Sequence, residues 1–246
     1  MTDAIGVGVL TVSDMGIGSF AVVGVAREIP ALLRMGLSVT ARPHQPFTGC
    51  KEPELGDATL PPAVFVHGLA GVPAHVEPWK KTLFAHESYL WGYASRGEPL
   101  DALDRLTSFV KRVAEHHEQR VCLAGHSLGG LLLLAATGDL GPEYVSSCVT
   151  VCSPHQGANL PSTPLDALRV RSHNAEAGLV LAITAEHDLV VDPQDALVGD
   201  TEWALVRGAG HLSVVSHPRT AELLVRACAH DSAEHGFAYD AALPHD

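Results

Sequence analysis

The hexapeptide Gly125-His126-Ser127-Leu128-Gly129-Gly130 holds the strongest chemical signal in this chain. It follows the apolar run Val121-Cys122-Leu123-Ala124 and precedes Leu131-Leu132-Leu133-Leu134-Ala135-Ala136. A serine between glycines therefore sits where a strand turns into a helix. Such a nucleophile elbow is strained, and small flanking residues let the backbone fold tightly enough to hold the hydroxyl out above the sheet. The new helix turns its amino-terminal N–H groups toward the same place. A hydroxyl is a weak nucleophile near neutrality, so acyl chemistry at Ser127 demands a base, an acid behind the base, and donors for the oxyanion. Histidine suits the base, because its unperturbed pKa of about 6.5 lets it take and return a proton. A carboxylate must then fix its tautomer and stabilise the imidazolium.

Both partners follow in order. The strand-like run Leu179 to Thr184 leads into Ala185-Glu186-His187-Asp188-Leu189-Val190-Val191-Asp192-Pro193, and Trp203 to Val206 leads into Arg207-Gly208-Ala209-Gly210-His211-Leu212. Asp188 is assigned as the acid and His211 as the base. Glu186 and Asp192 are rival acids. Asp188 is preferred because the apolar Leu-Val-Val run directly after it would anchor the loop and turn the carboxylate inward. A solvated loop position is the ordinary reading for any one of these acids, and the glycine-flanked histidine after the next strand weighs against it. His187 and His217 end no strand in such a turn. For the oxyanion, the N–H of Leu128 is one donor. The N–H of Leu69, in His67-Gly68-Leu69-Ala70-Gly71 after the first core strand, is the other. That turn could be a plain strand-to-loop connection, but Gly68 and Gly71 permit the close backbone approach an oxyanion hole requires. His67, Gly68, His126, Leu189 and Leu212 are assigned to substrate binding. Leu69, Leu128, Leu189, Leu212 and Val214 suggest an apolar lining with little fixed charge, which favours apolar acyl or alcohol groups.

These residues need a scaffold. Ala63–Val66, Tyr89–Tyr93, Val121–Ala124, Val145–Val151, Leu179–Thr184 and Trp203–Val206 read as strands. Helices are expected at Leu100–Glu115, with Leu103, Leu106, Phe109, Val110 and Val113 on one face, and at 128–138, 193–198 and 218–229. Alternating strands and helices predict an α/β fold with a mostly parallel central sheet covered by helices on both faces. In such sheets ligands bind beyond the carboxyl ends of the strands, where every motif above falls. Before Ala63 the pattern is irregular. A helix from Phe20 to Met35 is interrupted by Pro30, and residues 41–62 carry Pro43, Pro46, Pro53, Pro61 and Pro62. The expected organisation is an amino-terminal segment and linker over 1–59, a catalytic domain over 60–230, and a polar tail over 231–246.

Composition removes other classes. With 46% hydrophobic and 18% charged residues in 246, the chain is long enough for one well-packed domain. A net charge of −12 argues against nucleic-acid binding. The cysteines Cys50, Cys122, Cys148, Cys152 and Cys228 are odd in number and irregular in spacing. That does not suggest a disulfide framework, and Cys122, Cys148 and Cys152, in or beside apolar strand-like runs, read as small buried hydrophobes. Fifteen histidines occur without metal-ligand spacing, so no metal is expected. Residues 4–26 are apolar apart from Asp14 and a few hydroxyls, but Met1-Thr2-Asp3 is not the basic start of a signal peptide. A span would also hold Asp14 near mid-membrane at roughly 2.5–3.5 kcal/mol. The expectation is a cytoplasmic protein, with membrane association through residues 4–26 as the alternative.

Taken together, His67-Gly68-Leu69-Ala70-Gly71, Gly125-His126-Ser127-Leu128-Gly129-Gly130, Val151-Cys152-Ser153-Pro154-His155-Gln156-Gly157-Ala158, Asp188-Leu189-Val190-Val191 and Gly208-Ala209-Gly210-His211-Leu212 resemble the α/β-hydrolase superfamily. Within it, they are similar to the lidless or small-lid bacterial triacylglycerol lipases and esterases. The resemblance covers about residues 60–229. It implies a serine carboxylic ester hydrolase with a Ser127-Asp188-His211 triad, an acyl-enzyme intermediate, no cofactor, and a small-molecule or lipid ester as substrate. The stretch from His155 to Gly178 is short for a helical cap, which implies an open site. The same triad could serve a thioesterase or acyltransferase, and a non-catalytic binding protein would be expected to lack a triad member.

Overall fold

In a computed structural model of the chain, the residues described are Glu28, 60–95, 98–158, 165–173 and 179–229. The expected helix from Phe20 to Met35 (Glu28 apart), the apolar stretch 4–26, Cys50 and the tail 231–246 lie outside them. Six strands form one sheet: β1 (Ala63–Val66), β2 (Ser88–Trp91), β3 (Val121–His126), β4 (Val145–Val151), β5 (Leu179–Ala185) and β6 (Trp203–Val206). Their order is β2-β1-β3-β4-β5-β6, and every neighbouring pair is parallel. Parallel neighbours need long crossovers. Helices α1 (Glu77–Thr82), α2 (Pro99–His117), α3 (Leu128–Leu140), α4 (Asp166–His173) and α5 (Pro218–Ala229) lie on the paths between and after the strands.

The pleat divides the apolar residues into two cores. Val64, Val66, Val121 and Leu123 pack with Leu103 and Leu106 of α2, Leu131 and Leu134 of α3, and Leu168 of α4. Their neighbours Ala63, Phe65, Cys122 and Ala124 pack on the other face with Trp79 of α1 and Leu223 and Leu224 of α5. The inner strands β1, β3 and β4 are thus buried on both sides, which explains why they read as continuous apolar runs. Helix α3 is buried at every position from Leu128 to Thr137, as a helix apolar all round must be. On the opposite face, the Trp79 indole N–H donates to the Val215 carbonyl at 2.9 Å, which ties α1 to the segment after β6.

Several expectations need correction. The stretch 193–198 forms turns rather than a helix: the Asp192 carboxylate accepts the Gln194 N–H at 2.9 Å. That side-chain bond offers the backbone an alternative to helical pairing. Strand β2 stops at Trp91, short of Tyr93, whereas β3 continues through Gly125 and His126 up to the serine. Neither α1 nor α4 is visible in the sequence pattern; each is a short helix of one or two turns. Cys122 and Cys228 are not free but form a disulfide joining β3 to α5, while Cys148 and Cys152 are buried thiols. Their sequence separation of 106 leaves no local signature. Among the described residues no helix is long and apolar enough to cross a membrane.

Candidate active site

Strand order reverses around β1, with β2 on one side and β3 on the other. A crevice opens at such a switch point. Ser127 stands there, directly between β3 and α3, with φ 53 and ψ −123. Positive φ in a residue other than glycine is costly and persists only where the surroundings impose it. Here the Ser127 N–H donates to the Val151 carbonyl at 2.8 Å. Strand and helix also approach so closely that a Cβ on Gly125 would lie 2.5 Å from Gly130 N. Beside the serine runs the turn after β1, where a Cβ on Gly68 would lie 2.8 Å from the Ser127 Cβ. The glycines in these motifs are thus demanded by contact distance.

His211 comes from the turn after β6. Its Nε2 lies 3.1 Å from Ser127 Oγ, and its Nδ1 lies 2.8 Å from Asp188 Oδ2. All three side chains are buried. The other Asp188 oxygen accepts the N–H groups of Val190 at 2.8 Å and Val191 at 2.9 Å, so the carboxylate is held from both sides. The reasoning that selected Asp188 is half right: Val191 is buried, but Leu189 is 43% exposed and anchors nothing. The rival acids have other partners. Glu186 accepts the Gly208 N–H at 2.7 Å, and Asp192 closes its own turn. His187 lies 3.5 Å from Glu186, and His217 Nδ1 accepts the Arg219 N–H at 3.1 Å.

No protein-family profile matches the chain. It is 31% identical over 124 residues to a triacylglycerol lipase from Pseudarthrobacter phenanthrenivorans, a match covering 46% of this chain and 39% of the lipase. A triacylglycerol lipase from Burkholderia plantarii matches at the same identity, over 34% of its length. The matched region thus spans little more than a third of these curated relatives. Among solved structures, the chain resembles the mature form of the Bacillus licheniformis lipase BlEst2. The TM-score is 0.58 at 17% identity, covering 72% of this chain and 96% of that one. Aspergillus fumigatus lipase B gives a TM-score of 0.63 at 15% identity, covering 74% and 56%. The chain has the α/β-hydrolase fold.

In this α/β-hydrolase fold the serine opens into a small cleft. Leu69 and Leu128 line it, but the expected Leu189, Leu212 and Val214 do not. Their places are taken by Val190, Val191, Pro154 and Leu165. The expectation of little fixed charge is also corrected. Helix α4 brings Asp166 and Arg169 to the wall, paired at 2.9 Å, with the Arg169 Nε–H donating to the Pro154 carbonyl at 3.3 Å. Pro154 lies just beyond β4, where the strand-end rule could have found it. Nothing local marks Leu165 or Arg169.

His67 and His126 are buried behind the cleft wall rather than presented to a ligand. The His126 Nε2–H donates to the His211 carbonyl at 2.8 Å and so braces the backbone of His211. Burial, and then the neighbouring His211, hold its pKa well below the ordinary histidine value. The His67 Nδ1–H donates to the Gly68 carbonyl at 2.9 Å, and its ring stacks on Tyr93 at 4.7 Å. Burial lowers its pKa to about 4 against the opposing effect of that bond. Sequence reasoning also missed Cys152, which follows β4 with φ 49. Its side chain, Asp188 and His211 have ligand atoms within 4.8 Å of one another. Burial and the Asp188 charge raise the thiol pKa far above its ordinary value. The Asp188 and His211 groups already bond to each other.

Proposed function

We propose that the chain is a serine carboxylic ester hydrolase of the lipase or esterase kind. The observation that carries the reading is the continuous hydrogen-bond line from Ser127 Oγ through the His211 imidazole to Asp188. Ser127 Oγ attacks the ester carbonyl as His211 Nε2 takes its proton, and Asp188 stabilises the imidazolium. The N–H groups of Leu69 and Leu128 receive the oxyanion. His211 returns its proton to the departing alcohol. Water, activated by the same histidine, then releases the acid from Ser127. Side chains move every proton in this scheme, so it requires no metal or organic cofactor.

An apolar ester is the preferred substrate, supported by the Leu69, Leu128, Val190 and Leu165 lining and by the triacylglycerol lipases that share sequence with the chain. The catalytic unit is residues 60–230. The Cys122–Cys228 bridge supports an oxidising compartment over the cytoplasmic location expected from sequence, because disulfides are rare where thiols are kept reduced. Ser127→Ala tests the reading. Turnover of a chromogenic ester series should vanish, with circular dichroism unchanged, and a fluorophosphonate probe should label the parent chain at Ser127 alone. Near-parental hydrolysis by folded Ser127→Ala would end the proposal.

A further inference from the structure

The turn that carries His211 is gripped by a carboxylate from far outside the sheet. Glu28, separated from it by 184 residues, accepts the Leu212 N–H on Oε2 at 2.7 Å. Its Oε1 accepts the Ser213 N–H at 3.2 Å and the Ser213 hydroxyl at 2.8 Å. Ser213 Oγ in turn accepts the Gly210 N–H at 2.8 Å. A Cβ on Gly210 would run into the Glu28 carboxylate, so glycine is what lets the acid approach. The peptides on both sides of His211 are thereby tied to one anion, directly or through Ser213.

The local sequence provides no substitute. A short 3-10 turn starts at Ser213, and Leu212, which precedes it, makes no side-chain cap. Among the described residues the Leu212 and Ser213 N–H groups have no other acceptor, a gap usually filled by a neighbouring Ser, Thr, Asp or Asn. Bonds to a charged acceptor are roughly twice as strong as neutral ones. Asp188 fixes the imidazole ring and His126 fixes the His211 carbonyl, but neither holds the chain after it. A misplacement of about 1 Å can cost on the order of 10²-fold in rate. We infer that Glu28 is a positioning residue for His211.

The inference rests on the proposed Ser127–His211 chemistry, and the assay separates the two. Glu28→Gln keeps the volume but turns an amide N–H₂ toward donors. On the full chain it should lower kcat by about 10–100-fold with KM within about twofold, and slow fluorophosphonate labelling of Ser127 in parallel. Glu28→Asp should recover part of the loss. Ser213→Ala should cost less, and should add little on top of Glu28→Gln, since both act through one network. Folded Glu28→Gln with parental kcat and labelling rate would overturn the role of Glu28, as would fully additive losses with Ser213→Ala. Hydrolysis surviving in Ser127→Ala would instead overturn the chemistry beneath it.

Discussion

The elbow after β3 and the turn after β6 lie within hydrogen-bond reach of each other and are built by opposite means. Ser127 is held by its own neighbours: a strand entering, a helix leaving, and glycines that let the two and the 67–69 turn close in. The His211 turn has local bonds of its own, among them the Val214 N–H to the Gly210 carbonyl at 3.1 Å. Its position is fixed by side chains from elsewhere: Asp188 from the loop after β5, His126 from β3 and Glu28 from the amino-terminal segment. A nucleophile whose strain is imposed by backbone packing tolerates few substitutions nearby but depends on few distant residues. A base held by remote polar partners can be weakened from several places at once.

The largest expected effect breaks the remote side of this contrast. Asp188→Asn should lower kcat by about 10⁴-fold, because the amide favours the wrong imidazole tautomer. Glu186→Gln and Asp192→Asn should change it by no more than about twofold. Steady-state kinetics on the three variants checks this, and a comparable loss in Glu186→Gln would return the acid to open question.

Next is the covalent link between the two regions, since Cys122 lies on the elbow strand and Cys228 on the helix after the histidine turn. Reduction should destabilise the fold by about 4–5 kcal/mol, from the entropy of a closed loop near 100 residues. Activity below the new melting temperature should persist, because neither cysteine touches the triad. Denaturant melts with and without reductant provide the measurement.

Acid should loosen the packing behind the cleft. Burial lowers the His67 pKa from 6.5 to about 4. The unfolded chain therefore takes up a proton before the folded one does. This contribution to stability is fully present above about pH 6.5 and is lost as pH falls toward 4, where the loss reaches about 3 kcal/mol. His75 and His126 are shifted in the same direction. Melting temperature should drop between pH 7 and 4.5, less steeply in His67→Phe. A flat profile would contradict the buried neutral state.

The smallest effect sharpens the local side. Gly68→Ala inserts a methyl 2.8 Å from the Ser127 Cβ. It should cost on the order of 10-fold to 10²-fold in kcat through displacement of the nucleophile or the adjacent N–H donors. Gly157→Ala, whose methyl would meet only the Asp195 carboxylate at 3.5 Å, serves as the tolerant control.

What could be read along the chain was whatever its neighbours enforce. Unbroken apolar runs become strands buried on both faces, and alternation with helices yields the parallel sheet. The strand–Gly–His–Ser–Leu–Gly–Gly–helix series becomes the elbow, since a strained turn depends on the residues beside it. The sequence already favoured Asp188 over Glu186 and Asp192, but only the tertiary structure set its carboxylate against the His211 ring, joined Cys122 to Cys228, brought Arg169 and Leu165 to the cleft, and set Glu28 against the histidine turn. Those outcomes depend on which side chains distant strand ends and helices deliver to one place, and hydrogen bonds and disulfides act over a few ångströms of space irrespective of separation along the chain.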